Sequence, residues 1–189
     1  RAISGGKFFP QTSGPRLTFS TGSSATLGPK NAKIELVVFE DFQCPFCSKI
    51  APNLKAFQKA NPKDVKVVFK HLPLTNIHAE AQLASEAAVE AQAQGKFWEY
   101  HDVLYENQHA LGRPELETYA EQVGLNMAKF KSALDSRKHQ ATVERDAGEG
   151  QRAGISGTPS VFLNGLKYQG PRGYPPDGLE GVARMYMGL

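Results

Sequence analysis

Two cysteines, Cys44 and Cys47, are the only thiols in this 189-residue chain, so its entire sulfur chemistry is a single CxxC. The pair follows a short apolar run and is separated by Pro45 and Phe46. Proline is well tolerated at the first position of a helix, where its missing N–H has no partner to lose, so Pro45 predicts a helix that starts at the motif. The first turn of a helix carries unpaired amides and the positive end of the macrodipole, and both favour a thiolate. Cys44 is therefore expected to be the nucleophile. Cys47, one turn further in and shielded by the helix, is expected to be the resolving thiol. A mixed disulfide would form either when Cys44 attacks a substrate disulfide or when a substrate thiolate attacks oxidised Cys44, and the partner thiol resolves it. Two other uses of the pair remain: packing in a core, or half of a zinc site. Zinc would need two further ligands from His71, His78, His101, His109 or His139, none at the usual short spacing.

The elements that must hold this motif can be read on either side of it. Residues 34–39 (IELVVF) form a β-branched apolar run suited to a strand buried on both faces. Beyond the motif, Cys47, Ile50, Leu54 and Phe57 recur at helical spacing up to Asn61-Pro62, with a kink expected at Pro52. Residues 65–69 (VKVVF) then complete a βαβ unit, which makes the sheet partly parallel. A helical pattern occupies about 77–153, broken at Gly95, at Gly112-Arg113-Pro114 and at Gly124. Strand character returns at 160–163 (SVFL). Asn164-Gly165 is the favoured two-residue hairpin turn into Lys167-Tyr168-Gln169, and Leu179, Val182, Ala183 and Tyr186 mark a last helix. The fold class is thus α/β, with no internal repeat. Residues 31–189 form the main domain.

Residues 1–30 read as a loose leader, with 17 Gly, Ser, Thr or Pro. One edge strand is expected at Leu17-Thr18-Phe19, and Lys7-Phe8-Phe9 is expected to pack on the domain. Composition excludes other classes. No apolar run reaches the ~18 residues of a membrane helix. The 22 basic and 19 acidic residues are mixed along the chain, without the basic block of a nucleic-acid surface. Arg1 in place of an initiator methionine is expected of a processed or truncated product whose targeting segment has gone.

The segments VVFEDFQCPFC at 37–47, GKFWEYHDVLYENQ at 95–108 and GISGTPSVFLNG at 154–165 resemble the DsbA-like branch of thioredoxin-fold thiol:disulfide oxidoreductases, and the resemblance runs from about Leu27 to the C-terminus. It implies a thioredoxin fold with an inserted helical subdomain, catalytic Cys44 and Cys47, and a cis-proline opposite them at Thr158-Pro159. Thr158 would then offer backbone groups to an extended substrate peptide. It further implies a dithiol oxidase outside the cytoplasm, periplasmic, secreted or membrane-tethered, acting on unfolded or partly folded protein thiols. Its cofactor would be its own disulfide, with no metal, and its partner a membrane quinone-linked reoxidase of DsbB-like or VKOR-like type. A reductase or isomerase is the alternative within the enzyme class, and a thiol module holding copper or zinc the alternative outside it.

Two departures from the resemblance matter. Many relatives carry a buried carboxylate where this chain has Val38, while Glu40 lies two places on, on the same strand face if the strand extends that far. Glu40 is the candidate proton relay for Cys47; the other reading for it, and for Asp41, is a solvated or capping acid at a strand end. At position 46 the strongest oxidants of the family carry a histidine, and here stands Phe46. Cys44 is accordingly expected to be activated by the helix dipole and backbone donors alone, with Phe46 either touching substrate or packing over Pro45. Trp98 and Phe97 are expected to fill the space between insertion and sheet, and Lys49 and Lys55 to lie on a solvated face.

Overall fold

The computed structural model describes residues 14–186, and the expectation for Lys7, Phe8 and Phe9 lies outside them. The strands are β1 (Thr26–Leu27), β2 (Ile34–Glu40), β3 (Val65–His71), β4 (Ser160–Leu163) and β5 (Leu166–Lys167). The helices are α1 (Pro45–Ala60), α2 (Ala81–Ala93), α3 (Phe97–Glu106), α4 (Arg113–Gln122), α5 (Met127–Asp135), α6 (Gln140–Arg152) and α7 (Pro176–Tyr186). They assemble on one sheet of order β1-β3-β2-β4-β5.

The longest apolar run takes the centre, because only there are both of its faces covered. β2 pairs parallel with β3, from Ile34 opposite Val65 to Glu40 opposite His71, and antiparallel with β4. Successive side chains along β2 therefore serve two cores. Leu36 and Val38 pack with Ile50, Leu54 and Phe57 of α1 and Leu179 and Val182 of α7. Val37 and Phe39 face the other way, onto Val68, Leu72, Ile155 and Phe162. A third cluster joins helices α2 to α5 to Phe42, Cys44, Cys47 and Phe69, so the inserted helices close over the end of β2 where the motif sits.

α1 begins at Pro45 and runs unbroken through Pro52, which lies on its exposed side. Asn164 and Gly165 both adopt positive φ, 48° and 81°, and join Leu163 to Leu166 in a two-residue turn, as Asn-Gly predicts. The edge strand expected at Leu17-Thr18-Phe19 is not formed; the edges of the sheet are β1, which pairs with β3, and β5, which pairs with β4. The alternation at 17–19 is one of burial without a ladder. Leu17 donates its N–H to Gly165 O at 2.8 Å, while Phe19 meets Phe39 and Phe162 at centroid distances of 5.3 and 4.9 Å.

Phe97 is buried as expected and stands 5.1 Å from Phe69. Trp98 is only partly buried, bridges two of the clusters and donates from Nε1 to Thr26 O at 2.9 Å, so it ties α3 to β1.

Gly165 gives a direct check on the turn. A Cβ there would lie 2.1 Å from Leu17 O, on a backbone already at φ 81°. Gly165→Ala should lower the unfolding free energy by about 2 kcal/mol or more in urea denaturation, since the left-handed conformation and the clash add.

Candidate active site

Cys44 is the N-cap of α1, with Pro45 as the following residue. The loop that delivers it is held from three sides. Cys44 N donates to Asp41 O at 3.0 Å. The Gln108 side-chain amide donates to Phe42 O and to Cys44 O, each at 2.9 Å. Asp41 is fully buried, its carboxylate accepting from the amides of Gln43 and Leu74 and meeting His78 Nδ1 at 2.8 Å. The solvated reading of Asp41 is thereby corrected: its oxygens are used up in bracing two loops.

Both cysteines are free thiols, Cys44 4% and Cys47 0% exposed. The thiol of Cys44 donates to Thr158 O at 3.5 Å, and the Thr158–Pro159 peptide is cis. Pro45 and Phe46 lie outside, with Phe46 65% exposed and the Lys49 ammonium 5.6 Å from its ring centre. Phe46 therefore does not pack away. Cys44 itself is buried beneath this surface, with its sulfur against the Thr158 loop.

The two thiols differ sharply in acidity. A hydrogen bond from the Cys47 thiol, opposed by burial and helped by Thr158 and the amides of Cys47 and Phe46, brings Cys44 down to about 5 from an ordinary 9.0. Burial first, then the Cys44 charge as hydrogen-bond acceptor and the nearby Glu40, pushes Cys47 far up. Activation by dipole and backbone donors alone is thus corrected, because the largest stabiliser of the Cys44 thiolate is the other cysteine.

Glu40 ends β2 at 2% exposure, on the face of Val38, where Cys44 and Cys47 sense its charge. The solvated or capping reading is excluded for it too. Burial raises its pKa, and one carboxylate oxygen, Oε1, has no hydrogen-bond partner. The other, Oε2, is 3.8 Å from His101 Nε2. Lys55 and Lys49 lie on the solvent side of α1 as expected, and Lys55 also joins this cluster through Asp102 at 2.5 Å.

Sequence reasoning missed His101, Asp102, Tyr105 and Gln108. The signal was available: Phe97, His101 and Tyr105 repeat every four residues, which places two polar groups on the buried face of α3, and Gln108 follows just beyond its end. It carried no meaning until the partner face was known.

A groove of about 530 Å³ runs along the cis-proline loop, between Gly157, Thr158 and Pro159 on one side and Leu17, Tyr168 and Tyr174 on the other. No group of three or more His, Cys, Asp or Glu side chains is arranged for a metal among the described residues.

The sequence profile of the family described as Thioredoxin matches residues 20–176. The chain belongs to the Thioredoxin family. A segment of 144 residues, 76% of the chain, is 37% identical to the Na(+)/H(+) antiporter NhaA 3 of Salinispora tropica, and spans only 22% of that protein. In fold the chain is similar to BdbD from Bacillus subtilis in its oxidised form, at TM-score 0.79 and 22% identity, covering 90% of this chain and 96% of that one. It is similar to a thioredoxin-like oxidoreductase from Silicibacter pomeroyi at TM-score 0.77 and 21% identity, covering 89% and 94%. The expected thioredoxin-type α/β architecture is therefore the one adopted, and no helix among the described residues is long and apolar enough to cross a membrane.

Two measurements check the acidity difference. Brief alkylation with iodoacetamide followed by peptide mapping should label Cys44 with half-maximal reactivity near pH 5 and leave Cys47 unlabelled. Stability follows by linkage. The folded Cys44 pKa lies below its unfolded value, so its contribution is fully present above about pH 9 and is lost as pH falls through about 5. Between pH 8 and 5 the stability of the reduced protein over the oxidised one should shrink by roughly 4 kcal/mol, at about 1.4 kcal/mol per pH unit until the slope flattens near pH 5, in paired urea titrations.

Proposed function

We propose that this protein is a thiol:disulfide oxidoreductase working as a dithiol oxidase on unfolded or partly folded proteins outside the cytoplasm. The observation that carries the reading is the placement of Cys44 at the N-cap of α1, with Cys47 fully buried one turn inside and the Cys44 sulfur against Thr158 O; the depressed acidity of Cys44 agrees with it. Membership of the Thioredoxin family and the placement of Thr158 and Pro159 against Cys44 support the same chemistry.

In the oxidised enzyme a substrate thiolate attacks Cys44 Sγ. The Cys44–Cys47 bond breaks, its electron pair passes to Cys47, and Cys47 takes a proton from Glu40. A second substrate thiolate then attacks the substrate sulfur of the mixed disulfide and expels Cys44 as a thiolate. Two electrons have moved from substrate to enzyme, one disulfide has formed and one has been lost. The low pKa of Cys44 makes it a good leaving group in the second step, which favours the oxidising direction.

Phe46 and the groove along Thr158 and Pro159 supply apolar and backbone contacts for an extended peptide. Regeneration requires an acceptor for two electrons, and a membrane quinone-linked reoxidase of DsbB-like or VKOR-like type meets that need. No cofactor besides the Cys44–Cys47 disulfide is required.

Cys47→Ser should accumulate a mixed disulfide through Cys44 with a reduced, unfolded substrate under mild oxidation, and Cys44→Ser should not, as read by non-reducing electrophoresis and mass spectrometry. Equilibration with glutathione should give a reduction potential well above the about −270 mV typical of thioredoxin, since each 1.4 kcal/mol of thiolate stabilisation raises it by about 30 mV. A thioredoxin-like potential would assign the protein to the reductases instead.

A further inference from the structure

Glu40 must give up or take a proton each time Cys47 changes state, yet it is walled from water. At 2% exposure its carboxyl is surrounded by Cys44 and Cys47 of α1, Tyr105 and His101 of α3, and His71 of β3, which stands opposite it in register. Most of these lead nowhere. Tyr105 is buried and held protonated by burial and by the surrounding negative groups. His71 is kept neutral, down to about 3 by burial, and its Nδ1 has no partner. Asp41 is committed to Gln43, Leu74 and His78. Lys70 points across the other face of the sheet, to Asp146 and Glu149 of α6.

One neighbour does reach the surface. His101 Nε2 lies 3.8 Å from Glu40 Oε2, and His101 Nδ1 lies 2.8 Å from Asp102 Oδ1. The Asp102 carboxylate meets Lys55 of α1 at 2.5 Å, and the side chains of these two are 40% and 36% exposed. A continuous line of exchangeable groups therefore runs from the buried side of the CxxC to solvent, with His101, 2% exposed, as its middle.

We propose that His101, oriented by Asp102 and Lys55, is the route by which the Glu40 proton is exchanged with water during opening and closing of the Cys44–Cys47 disulfide. This rests on the oxidoreductase reading above. When Cys47 leaves as a thiolate, Glu40 Oε2–H gives it a proton; a proton that Asp102 relays from solvent enters the Nε2–H imidazole at Nδ1, the imidazolium so formed gives its Nε2–H to Glu40, and the ring is left as the Nδ1–H tautomer. In the closing direction each proton moves the opposite way. At 3.8 Å the two groups are beyond the about 2.7–3.2 Å of a hydrogen bond, so the proton passes only when they approach further. Burial alone would drive His101 neutral, but the hydrogen bond of Asp102 and the charges of Asp102 and Glu40 outweigh it and keep it able to carry the proton. His101 and Asp102 touch no reacting sulfur in this scheme and act through Glu40 as positioning and exchange groups.

The test is single-turnover reduction of the oxidised protein by dithiothreitol between pH 5 and 9, in wild type, His101→Gln and Asp102→Asn. General acid assistance of this kind accounts for at least about 10²-fold when removed outright, so loss of its supply route should slow disulfide opening roughly tenfold at pH 7 in His101→Gln and several-fold in Asp102→Asn. Added imidazole buffer should restore the lost rate in proportion to its concentration, and alkylation of Cys44 should keep its midpoint near pH 5. A merely structural role for His101 would move neither the pH profile of Asp102→Asn nor the imidazole dependence. Opening rates within twofold of wild type across the pH range in Asp102→Asn, or a loss that imidazole leaves untouched, overturns the proposal. Failure of the oxidoreductase reading looks different: Cys47→Ser with His101 and Asp102 intact would accumulate no Cys44 adduct.

Discussion

The hydrogen bond from the Cys47 thiol to the Cys44 sulfur sets the terms for everything around it. It makes two chemically identical side chains unequal, one inclined to be a thiolate and the other a thiol, because a shared proton cannot serve both. Helix α1 imposes that geometry by placing one cysteine at its N-cap and the other a turn inside, with Pro45 between them removing an amide that would otherwise need a partner. The remaining first-turn amides, those of Phe46 and Cys47, lie close enough to favour the charge on Cys44 even though no side-chain cap hydrogen bond is closed.

A buried thiol that must ionise in the course of a reaction needs a buried acid beside it, and such an acid is costly to the fold. Glu40 has an unpartnered oxygen, and Tyr105 and His71 add further unsatisfied polar atoms in the same region. The surroundings are correspondingly rigid. Phe42 stacks on Phe69 at 5.3 Å, and Phe97, His101 and Tyr105 meet that pair edge-on or tilted, so packed rings surround the polar groups and hold them in place. Gln108 and Asp41 then fix the loop between β2 and α1 through the backbone. The polar cost is borne by an unusually aromatic neighbourhood.

The inserted helices give this cage its wall. Helix α3 lies over the end of the sheet because Phe97 reaches Phe69 on β3 and Trp98 reaches the backbone of β1. The same docking delivers His101 to Glu40 and Asp102 to Lys55 on α1. Attachment of the insertion and completion of the buried acid site are therefore one packing event. On the opposite face, α6 supplies Asp146 and Glu149 to the buried Lys70, which also donates to Ser20 O and so anchors the segment before β1.

Local chemistry was legible in the sequence wherever neighbours in the chain decide the outcome. CPFC following a β-branched run specifies a helix that begins at Cys44; Asn164-Gly165 specifies a hairpin turn because few other residues tolerate positive φ at both positions. What required contact across the chain was not legible. Leu17-Thr18-Phe19 alternates like a strand, yet its partners are a turn carbonyl and two phenyl rings, so alternation reported burial and not a ladder. Glu40 and Asp41 are adjacent acids at a strand end, and their spacing alone is compatible with solvent. Only the docking of α3 and of the loop after β3 buries them, one toward His101 and the other toward Leu74 and His78. The acidity of Cys44 divides in the same way. The helix start that favours a thiolate is local and readable, while its largest stabiliser depends on how a second thiol is oriented, and that orientation is set by packing among residues tens of positions apart.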